Sequence, residues 1–81
     1  MNRIEIHNKV QSIFRDVFDI STLTIMDQTN SNDIDDWDSL NHINLVTAIE
    51  KDFSIKFALG ELKNLKNVGE MLSLIERKIS K

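Results

Sequence analysis

Cysteine and proline are absent from the chain, which has one tryptophan and two glycines in 81 residues. Without cysteine there is no disulfide, no thiolate nucleophile and no cysteine-based metal site, so any thiol chemistry has to come from a bound group. No apolar run approaches the roughly 20 residues of a membrane span. The start, Met1-Asn2-Arg3-Ile4-Glu5, lacks the apolar core of a signal peptide. A cytoplasmic protein without a membrane span is the expectation. No repeat or low-complexity segment occurs, and the length suits one domain over residues 1–81, expected to be a monomer. A hydrophobic content of 41% and a charged content of 28% are ordinary for a globular chain and too apolar for a disordered one.

Positive charge is also missing from the middle. Residues 16–50 contain no Lys or Arg but carry Asp16, Asp19, Asp27, Asp33, Asp35, Asp36, Asp38 and Glu50, while the flanking stretches are net positive. An acidic centre repels nucleic acid and anionic membranes and attracts partners with basic patches. The plain alternative is a solvated acidic loop.

Apolar residues recur at helical spacing three times. Ile6, Val10, Ile13, Phe14, Val17 and Phe18 form one stripe. Leu40, Ile43, Val46, Ile49 and Phe53 form a second, with Leu45 beside it. Val68, Met71, Leu72, Ile75 and Ile79 form a third. The spacing predicts helices over about 3–18, 39–52 and 67–79, with a short turn near 59–65 around Leu59, Leu62 and Leu65. Strand signals are weak: Ser21–Met26 has β-branched residues but no partner run. Gly60 and Gly69 fall near predicted helix starts, where glycine costs less than in a helix interior. The connection from about Asp19 to Trp37 is long for so small a domain, which marks it as functional or disordered. Ile20, Leu23, Ile25, Met26 and Ile34 could pin it to the bundle, so an ordered crossover is expected. The predicted fold class is all-α.

Asp38-Ser39-Leu40 stands where the acidic stretch meets the second helix. Asp and Ser are favoured helix starters because their side-chain oxygens accept orphan backbone N–H bonds, and capping is the plain reading of the tripeptide. The wider context adds to it. Asp36-Trp37-Asp38-Ser39-Leu40 runs into Asn41-His42-Ile43-Asn44-Leu45-Val46-Thr47-Ala48-Ile49-Glu50-Lys51-Asp52-Phe53 and then Ser54-Ile55-Lys56-Phe57. This resembles the acyl carrier protein family over essentially the whole chain, most strongly at residues 33–57.

The resemblance implies an acyl-carrier-like bundle of three main helices plus one short helix, with a long loop between the first two. It implies that Ser39 carries 4′-phosphopantetheine, donated from coenzyme A by a phosphopantetheinyl transferase. The arm would hold acyl or aminoacyl cargo as a thioester. The chain would then be a carrier and not an enzyme. A loading enzyme and a downstream acyltransferase or synthase would be its partners, in fatty acid or secondary metabolite biosynthesis. By the same resemblance Asp38 helps dock the transferase, and Leu40 and Ile43 lie partly exposed beside the arm. Asp33, Asp35 and Asp36 could steer basic partners. Leu45, Val46, Ile49 and Phe53 match interior positions, some of them lining space that can shelter a cargo. Trp37 either shields the root of the arm, which places it among the partner-recognition residues, or anchors the loop. His7 and His42 read as surface residues.

Departures from the family pattern also count. Asn41 and Asn44 occupy positions that are often acidic, Lys51 adds a positive charge, and Ala58 falls where proline is frequent. They point to a dedicated pathway outside the general fatty-acid synthase. Two other readings compete. One is a non-catalytic helical interaction module without a prosthetic group. The other is a calcium loop at Asp33-Ile34-Asp35-Asp36-Trp37-Asp38, whose spacing fails because Trp37, Asp38 and Asn44 stand where the EF-hand needs an oxygen ligand, a glycine and a glutamate.

Overall fold

A computed structural model describes residues 2–62, 65 and 67–79, without the side chains of Leu59 and Leu62. Three long helices carry the fold: α1 (Arg3–Phe18), α2 (Ser39–Phe53) and α4 (Val68–Ile79). Between the last two, Leu59–Leu62 makes one helical turn, α3. The predicted short segment near 59–65 is thus a single turn, too short to act as a fourth bundle helix; residues 63, 64 and 66 lie outside the described residues. Among the described residues no strand forms, and one isolated antiparallel bridge joins Asn30 to Asn67.

Helix α1 begins where Asn2 and Glu5 cap each other: the Asn2 side chain accepts from Glu5 N–H, and Glu5 Oε1 accepts from Asn2 N–H. It ends at Asp19, in the left-handed region with φ 55°. Its buried face is Ile6, Val10, Ile13, Phe14 and Phe18. It packs against Leu45, Val46 and Ile49 of α2 and against Val68, Met71, Leu72, Leu74 and Ile75 of α4. Lys9 of α1 pairs with Asp52 and lies over the Phe53 ring at the end of α2, whereas Trp37, just before α2, meets Phe14 and Phe18. The helices α1 and α2 therefore run antiparallel, and Ser39 sits beside the last turns of α1.

The long connection is ordered, for a reason not visible in its own residues. Four polar side chains spaced four apart on α1 form a ladder that holds the first half of the loop. Arg15 Nε donates to Leu23 O (2.7 Å), Gln11 Oε1 accepts from Ile25 N–H (3.0 Å), His7 Nε2 bonds Ile25 O (2.8 Å), and Arg3 reaches Asp27 and the carbonyl of Gly69. A carbonyl only accepts, so His7 Nε2 is the donor. Both His7 and the loop backbone thereby find partners, and His7 is half-buried instead of lying free on the surface. Ile25 and Ile34 enter the core and Leu23 packs at its edge, but Ile20 and Met26 stay exposed, contrary to expectation. Hydrogen bonding, more than apolar contact, holds that stretch.

The tip of the loop then starts α4. The Val68 and Gly69 N–H groups donate to Thr29 O and Asp27 O, and Asn67 Oδ1 accepts from Glu70 N–H, which satisfies donors that a helix start leaves unpaired. Gly69 is required by this close approach. A Cβ there would lie 3.1 Å from Asp27 O, backbone that cannot easily give way. At α3, Glu61 Oε1 accepts from Ala58 N–H and pairs with Lys78.

Replacing Gln11 by Ala should speed hydrogen exchange at the Ile25 amide about five- to tenfold, the loss of about 1 kcal/mol in one hydrogen bond. Exchange at the Trp37 amide, bonded to Ile34 O, should not change; unaltered exchange at Ile25 would mean that the ladder does not hold the loop. The Ala58 N–H first, and Lys78 next, hold the Glu61 carboxyl below its ordinary value of 4.5. A folded-state value under the unfolded one contributes stability at neutral pH that is lost as pH falls through the folded value. Melting from pH 7 to 3 should accordingly show a shallower acid loss for Glu61→Gln than for the unaltered chain.

Candidate functional site

The site is the junction of the loop and α2. The chain arrives through a tight turn in which Asn30 and Asp33 bond each other's backbone. It then buries Ile34 and Trp37. Trp37 is only 7% exposed. Its ring meets Phe14 nearly perpendicular (centroids 5.3 Å, 88°) and Phe18 at a tilt (6.4 Å, 55°). Its Nε1–H donates to His42 Nδ1 at 3.0 Å, and the His42 ring lies beside the indole, near-parallel to it at 22° with centroids 6.1 Å apart. Indole nitrogen only donates, so Nδ1 accepts and the proton of the neutral His42 ring lies on Nε2. Of the two readings of Trp37, burial matches the anchor: it is a core residue with little surface left for a partner. His42 corrects an expectation, since it is half-buried with a specific partner and does not lie free on the surface.

Anchoring residue 37 sets residues 38 and 39. Asp38 is extended and caps α2, its Oδ1 accepting from Asn41 N–H at 2.8 Å. Asn41 Nδ2 donates back to Asp36 O at 2.7 Å. An asparagine does here what an ionised carboxylate could not, since its amide group donates to a carbonyl. That pair, with Trp37–His42, braces the start of α2 from both sides. Sequence reading missed Asn41 and His42 as structural partners; the only signal was their position one turn into a capped helix.

Ser39, the first residue of α2, is exposed, and its hydroxyl bonds to no described residue. Leu40 and Ile43, on the neighbouring surface of the same helix, are 68% and 58% exposed, large apolar side chains left in water. Asp35, Asp36 and Asp38 are exposed and make no ion pair with the described residues, while Asp33 uses one oxygen on Asn30 N–H. The junction thus presents a free hydroxyl beside an apolar pair and below an acidic edge, at a helix N-terminus whose dipole end favours a negatively charged group. Among the described residues no set of three metal-ligating side chains converges. An open groove of about 640 Å³ lies elsewhere, lined by Arg3, Asp27, Leu65, Gly69, Leu74 and Arg77 among others, none of them from α2 or residues 30–38. It takes no part in the site.

An exposed hydroxyl at a helix start, bonded to no described residue, is accessible from outside the bundle. Residues 8–75 match the phosphopantetheine attachment site family. The chain is 30% identical over 78 residues to an acyl carrier protein of Thermotoga maritima, with 96% of each chain covered. It is 31% identical to that of Acidothermus cellulolyticus, with 93% of this chain and 89% of the relative covered. The solution NMR structure of holo acyl carrier protein from Geobacter metallireducens superposes with a TM-score of 0.85 at 46% identity, covering 90% of this chain and 84% of that one. The chain belongs to the acyl carrier protein family. It is a non-catalytic carrier, and its prosthetic group is 4′-phosphopantetheine.

Asp38→Ala should cost about 1 kcal/mol and lower the melting temperature by about 4–8 °C, while Asp38→Asn, an equally good cap, should keep most of the stability. Thermal unfolding followed by circular dichroism checks both; equal losses would assign the effect of Asp38 to its charge instead.

Proposed function

We propose that Ser39 is the residue that bears the phosphopantetheine arm, and that the chain acts as a discrete carrier domain in a dedicated pathway. The observation that supports this most is the Ser39 hydroxyl itself: exposed, bonded to no described residue and placed at the start of α2. In the loading step the Ser39 oxygen attacks the β-phosphorus of coenzyme A and 3′,5′-ADP leaves. The serine proton passes to the transferase, which supplies the chemistry. The new phosphodiester lies at the positive end of the α2 dipole. When attached, the group supplies a terminal thiol that holds acyl or aminoacyl cargo as a thioester. The protein contributes placement: a tethered cargo is presented to a docked enzyme at high effective concentration.

Leu40 and Ile43 are the apolar contacts for partners, since large side chains are costly to leave in water unless used. Asp35, Asp36 and Asp38 draw in basic surfaces, including that of the phosphopantetheinyl transferase. A loading enzyme and a downstream acyltransferase or synthase complete the set, with the carrier as a cytoplasmic monomer. In this reading α3 takes the part of the family's short helix. The uncharged outer side of α2, with Asn41, Asn44 and Thr47, and the positive charge of Lys51 favour partners other than those of the general fatty-acid synthase.

Incubation with coenzyme A and a broad-specificity phosphopantetheinyl transferase should add one phosphopantetheinyl mass to the intact protein. Ser39→Ala should gain nothing while keeping its helical circular dichroism. Loading that persists in this variant would reject the site.

A further inference from the structure

The bond that anchors Trp37 also fixes the state of His42. Its Nδ1 accepts the indole N–H at 3.0 Å, so the proton of the neutral ring is on Nε2, at the other side of the imidazole. Nε2 bonds to no described residue, and among the described residues no buried side-chain nitrogen or oxygen lacks a partner. The half-buried His42 therefore turns Nε2–H to solvent, a donor without an acceptor. Residues 39 and 42 are three apart in α2 and so neighbours on its surface. A helical side chain leans toward the N-terminus, over the turn before its own Cα. The contact with Trp37, which precedes α2, shows that the His42 ring does so. A group bonded to the Ser39 oxygen starts from the turn that this ring overlies.

That neighbourhood is short of other donors. Residues 16–50 hold no Lys or Arg, and Asp35, Asp36 and Asp38 lie at the helix start. Arg15, near the end of α1, donates to Leu23 O. The Asn41 amide donates to Asp36 O and the Asn44 amide to Asn41 Oδ1. A phosphodiester is an anion, and a bond from an N–H to a charged oxygen is stronger than one between neutral groups.

We infer that His42 Nε2–H donates to the phosphodiester of the arm on Ser39, so that the buried indole, through the imidazole, holds the root of the arm against the first turn of α2. The inference rests on attachment at Ser39 and makes His42 a positioning residue for the attached group. The donors run outward, Trp37 to His42 and His42 to the phosphate oxygen, and bonds in such a chain polarise one another.

The test loads the full chain from coenzyme A with a broad-specificity phosphopantetheinyl transferase, intact mass confirming the product. NMR at about pH 8, above the range in which an unperturbed imidazole titrates, reads which ring nitrogen of His42 carries the proton, and phosphorus NMR reads the phosphodiester. In the unloaded chain the proton should be on Nε2. On loading, the Nε2–H resonance should shift downfield and its exchange with water should slow severalfold. Two variants separate this bond from the packing. His42→Asn keeps an acceptor for the indole, with Oδ1 in the place of Nδ1, but has no donor in the place of Nε2; its phosphorus resonance should move away from that of the unaltered chain. His42→Gln brings an amide N–H near the place of Nε2 and should restore the resonance. A proton on Nδ1, an Nε2–H unaltered by loading, an unmoved phosphorus resonance in His42→Asn, or equal shifts in His42→Asn and His42→Gln overturns the inference. If a variant does not fold, the readings on the unaltered chain before and after loading decide alone. A chain that gains no mass, or a gain retained by Ser39→Ala, overturns attachment at Ser39 itself and is told apart by mass.

Discussion

The seating of Trp37 between Phe14, Phe18 and His42 is the contact on which the rest of the molecule depends. It joins the end of α1 to the beginning of α2 two residues before Ser39. Burying a tryptophan removes a large apolar area from water, and truncating such a residue typically costs about 3–5 kcal/mol, a large share of the stability of so small a domain. A polar tip makes such burial tolerable only if its N–H is paired, and His42 supplies the acceptor. Because the indole cannot move without losing both kinds of contact, Asp38 caps α2 from a fixed point and Ser39 is held outward.

The crossover that leads there is held in two different ways. Its first half lies along α1 through side-chain-to-backbone bonds from Arg3, His7, Gln11 and Arg15, and its second half is held by burial of Ile34 and Trp37. Between them the tip lends its carbonyls to the start of α4, so one loop terminates one helix, begins another and presents a third. The N-terminus of α1 closes this arrangement through Arg3. Its guanidinium bonds Glu76 first of all and also meets Asp27, and these acidic partners raise its value above the ordinary one. The individual bonds are modest, but they share the same few backbone segments, so each positions the acceptors of the next.

Function follows from what is left unpartnered at the α2 junction. A carrier must offer its attachment point to solvent, and the Ser39 hydroxyl proposed for that role is exposed and bonds to no described residue. The apolar pair Leu40 and Ile43 lies bare where a partner can cover it. The acid groups of residues 33–38 remain outside any ion pair with the described residues, although Lys and Arg elsewhere are paired with Asp27, Asp52, Glu61 and Glu76.

The sequence alone determined the helices and the place of the candidate site. Apolar spacing is a local property, and it put α1 over Arg3–Phe18 and brought α2 and α4 to within a residue of their ends. Asp38 before Ser39 is likewise a local capping signal. Tertiary structure decided the rest, because it depends on pairs far apart in the chain. Whether Trp37 faces a partner or the core turned on Phe14 and Phe18, some twenty residues earlier. The period-four polar stripe of α1 can be read in the sequence, but not what it binds, since its partners are backbone groups that look the same at every position. Gly69 has its meaning only because the carbonyl of Asp27, brought there by the fold, would crowd a side chain's Cβ at 3.1 Å.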